Sequence, residues 1–218
     1  MSSVFLNMLS NTRLYPITDG VLSGLSHSEQ VSCLSEGGAT LIQLRAKTLS
    51  SLDFFSEAAE ALRVARERRV KIIINDRVDI ALALKADGVH LGQDDLPPGA
   101  ARELLGPEVV LGFSTHNLKQ ALLAVDLPID YIAIGPIFST ATKQRPEPSL
   151  GLDRLREVRQ ALGSFPVVAI GGITSENSQD VLDAGADAVA IISDIWIGSE
   201  SATARTKRLL SRPIRGDS

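Results

Sequence analysis

The stretch KIIINDRVDIALALKADGVHLGQDD, running from Lys71 to Asp95, decides the fold. It opens on an apolar, β-branched run, Lys71–Asn75, and closes on a second, Gly88–Gly92, with a helical stretch between them. Both runs are apolar nearly throughout rather than alternating. That is the pattern of a parallel strand with helices over one face and a core against the other. Each run ends in polar residues, Asn75-Asp76-Arg77 after the first and Gln93-Asp94-Asp95 after the second. Strand, helix and parallel strand make one unit of an α/β fold.

The same unit recurs in both directions along the chain. Further candidate strands are Leu14–Thr18, Thr40–Leu44, Val109–Ser114, Tyr131–Gly135, Val167–Gly171 and Ala188–Ser193. Eight strands, each followed by a helix, predict a single α/β domain folded as a closed (β/α)8 TIM barrel. A doubly wound open sheet is the alternative, but the first turn, Asp19-Gly20-Val21, is unlike Gly-x-Gly-x-x-Gly. Residues 1–13 are expected to form a short N-terminal extension or covering helix, 14–212 the barrel, and 213–218 a C-terminal tail. Ser26–Glu29 and Ser50–Asp53 read as capping boxes, and Gly37, Gly106, Gly163 and Gly185 stand where helices should stop. Leu52, Phe55, Ala58, Ala59, Leu62 and Ala65 are expected to share a helix face. Ala86-Asp87-Gly88-Val89 and Ala186-Asp187-Ala188-Val189 echo each other at two helix–strand junctions. The proline-containing stretch Gln144–Leu150 reads as a loop.

Composition narrows the partners. At 218 residues and 44% hydrophobic, the chain can bury one substantial core. A net charge of −4 with both signs interspersed offers no nucleic-acid-binding face, so any phosphate site must be built locally. One cysteine, Cys33, allows no intrachain disulfide and fits a reducing compartment. The first ten residues lack a basic residue and make a poor signal peptide, and no apolar run reaches membrane-span length. The expectation is a cytoplasmic protein acting on small molecules, with no nucleic-acid or membrane partner. Homo-oligomerisation is left open.

Barrel chemistry sits at the carboxyl ends of the strands. There the second strand ends in Gln43, Arg45 and Lys47, which alternation puts on one side. The third ends in Asn75-Asp76, the fourth in Asp94-Asp95, and the fifth in Ser114-Thr115-His116. The sixth runs through Thr140 and Thr142 to Lys143, the seventh ends in Gly171-Gly172, and the eighth in Ile192-Ser193. Singly, Asp76 and Asp95 either cap the following helices or ligate a cation, and Arg45 and Lys47 read as solvated charges. His90 reads as an internal packing residue, His116 as a hydrogen-bonding one, and His27 as an exposed first-turn residue. Cys33 and Trp196 read as packing. Together at one rim, these groups suit phosphates and a divalent metal. Arg and Lys grip phosphate oxygens, and two carboxylates hold Mg2+ with waters and phosphate completing its shell. Two phosphate positions follow. One is metal-assisted, beside Arg45, Lys47 and Lys143, and one is a neutral backbone site near Gly172 and Ser193.

The sequence resembles the thiamine-phosphate synthase family over about residues 14–196. The resemblance is carried by Leu14–Asp19, Gly38–Lys47, Ile74–Arg77, Gly88–Asp95, Gly112–His116, Gly135–Lys143 and Ile170–Thr174. It implies a transferase that joins a pyrimidine diphosphate to a thiazole phosphate and releases pyrophosphate. By matching position, Gln43, Arg45, Lys47 and Asn75 would contact the pyrimidine diphosphate, and Ser114 and Lys143 would hold its diphosphate. Asp76 and Asp95 would bind Mg2+. Thr140, Thr142, Gly172, Ile192 and Ser193 would contact the thiazole phosphate. Arg45, Lys47, Ser114 and Lys143 would then be the catalytic groups. A thiazole tautomerase, a phosphate-sugar isomerase or epimerase barrel, and an inactive binding barrel are the competing readings.

Overall fold

The computed structural model describes residues 4–9, 13–140 and 148–211. In chain order the elements are α1 (Val4–Leu9), β1 (Leu14–Pro16), α2 (Gly20–Ser23), α3 (His27–Glu36), β2 (Leu41–Leu44), α4 (Ser51–Glu67) and β3 (Lys71–Asn75). They continue through α5 (Val78–Leu84), β4 (Gly88–Leu91), α6 (Pro98–Leu105), β5 (Val110–Thr115), α7 (Leu118–Ala124) and β6 (Tyr131–Ile134). The last are α8 (Gly151–Leu162), β7 (Val167–Ile170), α9 (Ser178–Asp183), β8 (Ala188–Ile191), α10 (Ser193–Trp196) and α11 (Ala202–Leu210).

All eight predicted strands are present, most of them a residue or so shorter than their apolar runs. They pair in parallel in the order β1-β8-β7-β6-β5-β4-β3-β2. The ring closes between β1 and β2 through a single bridge, Ile17 opposite Gln43. Two hydrogen bonds reinforce that seam: Thr18 N donates to Gln43 O at 2.9 Å, and Arg45 N donates to Thr18 Oγ1 at 3.0 Å. The strands are buried on both faces, which is why their sequences do not alternate. Outward residues such as Ile42, Ile74, Leu91 and Ile132 pack under the helices. Inward residues Tyr15, Leu41, Ile73, Val110, Tyr131 and Val168 fill the barrel, joined by Phe5 of α1. Phe5 is fully buried, and its ring stacks on Tyr131 at 3.9 Å between centroids. Space for Tyr131 is made by Gly112, where a Cβ would fall 2.1 Å from the tyrosine ring.

The echo at the two Ala-Asp junctions has a structural cause, and a third member. Asp87, Asp130 and Asp187 each stand just before β4, β6 or β8. Each accepts the N–H of the neighbouring strand's beginning: Ile72 N at 2.9 Å, Leu111 N at 2.7 Å and Val167 N at 2.7 Å. Each also pairs with a cation, Lys71, Arg102 or Arg159. These carboxylates pin alternate strands together at the amino end, away from the rim that carries the polar ring.

Four local expectations need correction. The buried face of α4 is Phe54, Ala58, Ala61, Leu62 and Ala65; Leu52 is 74% exposed and Phe55 39%. The stripe is rotated because Phe54, not Phe55, enters the core. At Ser26 the capping box is complete, but at Ser50 the Asp53 carboxylate takes the serine hydroxyl at 2.6 Å, leaving a simple N-cap. His27 is 2% exposed, not on the surface; its Nδ1 lies 2.6 Å from Glu57 of α4. Cys33 is only partly buried. Trp196 does pack, and its Nε1 donates to Ile17 O at 3.0 Å.

Candidate active site

A cavity of about 330 Å³ opens at the carboxyl mouth of the barrel. Gln43, Arg45, Lys47, Asn75, Asp76, Asp95, Ser114, Thr140, Gly172, Ile192 and Ser193 all line it. Every predicted site residue that the structure describes is therefore in one place. Thr142 and Lys143 lie outside the described residues.

One end of the cavity is charged. Asp76 follows β3 in the left-handed region, at φ 63°, where a non-glycine residue is strained. Its N–H donates to His90 O at 2.8 Å, which fixes the turn, and its carboxylate meets Lys47 Nζ at 2.5 Å. Asp95 folds back so that its carboxylate accepts Gly92 N at 2.7 Å. Neither aspartate caps a helix: α5 is preceded by Arg77 and α6 by Pro97, without side-chain caps. That removes helix capping as the role of this pair. Partial burial pushes the Asp95 carboxyl above its ordinary range, and the Asp76 carboxylate beside it adds to the shift. The Gly92 N–H and Lys47 pull the other way. The Asp76 and Asp95 carboxylates thus stand side by side at the partly buried rim, with Lys47 against Asp76. Among the described residues no third acidic, histidine or cysteine side chain joins a metal-holding group.

Arg45 is held by Asp19, which is not among the predicted site residues. The two side chains meet at 2.9 Å, both largely buried. Asp19 also caps α2 by accepting the N–H groups of Val21 and Leu22 at 3.0 Å. The signal was in the sequence, since Tyr15, Ile17 and Asp19 share the inward parity of the first strand.

The other end is neutral. Gly172 has φ 63°, and a Cβ there would fall 2.6 Å from Ser139 O and 2.8 Å from Phe138 Cβ. Its need for glycine thus comes from the segment leading to Thr140, which crosses directly over it. That segment is tied down where Ile137 N and Phe138 N donate to Ile170 O and Gly171 O at 2.9 and 3.0 Å. Ile192 and Ser193 complete this end, where β8 passes into α10. His116 behaves as expected: its Nδ1 donates to Gly135 O at 2.7 Å. Beneath both ends lies a polar floor of Gln43, Tyr15, Tyr131, His90 and Ser114, linked in series by hydrogen bonds.

A (β/α)8 enzyme that acts on small molecules at its carboxyl mouth is the class these features define. The model of the family described as thiamine monophosphate synthase matches residues 14–195. The thiamine-phosphate synthase of Chloroflexus aurantiacus is 46% identical over 198 residues, 90% of each chain. That of Koribacter versatilis is 48% identical over 192 residues, covering 85% of this chain and 89% of its own. The solved thiamine phosphate pyrophosphorylase from Pyrococcus furiosus superposes with a TM-score of 0.82 at 36% identity, covering 94% of this chain and 95% of that one. The chain belongs to the thiamine-phosphate synthase family, and it is a transferase.

Proposed function

We propose that the chain joins a pyrimidine diphosphate to a thiazole phosphate, giving thiamine phosphate and pyrophosphate. The observation that carries this reading is the two-ended cavity. Cations and carboxylates gather at one end, glycine and hydroxyl groups at the other, within one space of about 330 Å³. A tautomerase would need the thiazole-phosphate end and has no use for Arg45, Lys47, Asp76 and Asp95 together; a sugar-phosphate barrel would share the backbone phosphate site near Gly172 but has no use for the sequence Thr140–Lys143.

In this reading Arg45, Lys47, Ser114 and Lys143 hold the diphosphate, with Gln43 and Asn75 toward the pyrimidine. Thr140, Thr142, Gly172, Ile192 and Ser193 hold the thiazole phosphate. The donor set fits Mg2+, because Asp76 and Asp95 are paired like charges whose repulsion a cation relieves. Bound there, Mg2+ would supply neutralisation of the diphosphate charge. The pyrimidine methylene–oxygen bond breaks, and its electron pair leaves with pyrophosphate. The thiazole nitrogen lone pair then forms the new carbon–nitrogen bond. Neither step removes a proton, which suits a rim of cations and hydroxyls. The residues contribute positioning and leaving-group stabilisation. A cytoplasmic setting fits the single cysteine, Cys33; no helix among the described residues is long and apolar enough to cross a membrane.

The test is direct: incubate the chain with both substrates and Mg2+, and look for thiamine phosphate and pyrophosphate in equal amounts. Tight binding of both substrates with no product would assign the chain to the binding barrels instead.

A further inference from the structure

The floor of the cavity is a chain of five side chains from five strands or strand ends. Gln43 Nε2 donates to the Tyr15 hydroxyl at 3.0 Å. The Tyr15 and Tyr131 hydroxyls lie 3.0 Å apart. The Tyr131 hydroxyl lies 3.0 Å from His90 Nδ1, and His90 Nε2 lies 2.9 Å from Ser114 Oγ. Gln43, Tyr15, Tyr131 and His90 are all at least nine-tenths buried.

We propose that Tyr15, Tyr131 and His90 are positioning residues that lock the His90 tautomer and thereby turn the Ser114 hydroxyl proton toward an anionic oxygen of the bound substrate. Gln43 Nε2 donates to Tyr15, which leaves the single Tyr15 proton available to Tyr131. The Tyr131 proton then goes to His90 Nδ1. A neutral imidazole whose Nδ1 accepts carries its proton on Nε2, and that N–H donates to Ser114 Oγ. Ser114 accepts from His90, so its own proton points away from the floor and into the cavity. Burial pushes the pKa of both phenols up, so each keeps the one proton it donates. Donors in series polarise one another, which strengthens the last one. The rings are fixed in place by packing: Tyr131 is held between Phe5, stacked at 3.9 Å, and His90, at 5.5 Å.

The catalytic consequence rests on the reading of Ser114 as a diphosphate contact; the tautomer does not. The experiment therefore has a spectroscopic arm and a kinetic arm. In protein labelled with 15N-histidine, long-range proton–nitrogen correlation identifies which His90 nitrogen bears hydrogen, with His90→Gln assigning the signals. The expected result is the Nε2–H tautomer. Gln43→Glu, which replaces the amide donor by an acceptor, should reverse the chain and give Nδ1–H. An Nδ1–H wild type, or a tautomer indifferent to Gln43→Glu, overturns the proposal. In the kinetic arm, Tyr131→Phe should lower kcat about ten- to a hundredfold and leave the KM for thiazole phosphate unchanged. An unchanged kcat in a variant whose His90 has lost the Nε2–H tautomer overturns the link to Ser114. The Nε2–H tautomer in a protein that turned over neither substrate would support the chain while sinking the proposed function.

Discussion

Replacing Gly172 by alanine perturbs the neutral end of the cavity alone, and its cost can be worked from the backbone. Gly172 sits at φ 63°, and holding an alanine in that left-handed region costs about 1–2 kcal/mol. The new methyl would lie 2.6 Å from Ser139 O and 2.8 Å from Phe138 Cβ, where ordinary contact begins at 3.4 Å. Something must therefore move by roughly 0.6–0.8 Å, and overpacking of this kind costs about 1–3 kcal/mol. The segment cannot slide freely, since Ile137 and Phe138 are hydrogen-bonded to the end of β7. The sum is about 2–5 kcal/mol, or a fall in Tm of roughly 4–20 °C for a chain of this length. Thr140 follows directly on the displaced segment. A shift approaching 1 Å there should raise the KM for thiazole phosphate by up to about a hundredfold. The charged end that carries Arg45 and Lys47 is untouched, so the KM for pyrimidine diphosphate should not change. Circular-dichroism melts and steady-state kinetics with each substrate varied in turn measure both effects. Gly99→Ala is the control: its Cβ meets nothing within 4 Å, and in α6 it should gain about 0.5–1 kcal/mol. A Gly172→Ala protein that melts with the wild type, or one whose defect falls on the diphosphate substrate, refutes the reasoning.

Chelation should abolish turnover, and added Mg2+ should restore it; full activity in chelator removes Asp76 and Asp95 from metal binding. Asp95→Asn should cost activity yet stabilise the metal-free protein. Because the folded state raises the Asp95 pKa, the native protein binds more protons than the unfolded one, and wild-type stability is lost as pH rises through that raised value. The melting advantage of Asp95→Asn should thus be small near about pH 4 and grow toward neutrality, whereas an advantage that shrinks as pH rises contradicts the cost of holding the Asp95 charge partly buried beside Asp76. A trifluoromethyl group in place of the pyrimidine methyl should slow single-turnover chemistry by orders of magnitude, each tenfold being about 1.4 kcal/mol of lost cation stabilisation. Undiminished chemistry would indicate direct displacement by the thiazole nitrogen.

How far the sequence could be read depends on how far apart the deciding atoms are along the chain. Strand runs and helix caps are local, so the eight strands were placed to within a few residues and the Ser26–Glu29 box in full. The rim was legible for a related reason. Barrel topology sends every strand's carboxyl end to one mouth, so a polar residue after a strand is assigned without knowing what it touches. What stayed hidden are pairings across the closed ring. His27 looked exposed because nothing in its own turn buries it; Glu57, thirty residues on, does. Asp19 looked like a turn residue until Arg45 arrived from β2 across the seam. Tyr15 and Tyr131 are 116 residues apart, and their contact exists only because Gly112 vacates the space the second ring occupies. His90 and Gly112 lie opposite each other in the β4–β5 register, so one pair carries both the imidazole and the gap that lets Tyr131 reach it. The residues that line the cavity mouth were visible as chemistry at a rim. Those that pack beneath them are visible only as volume and register, which a single strand's pattern does not encode.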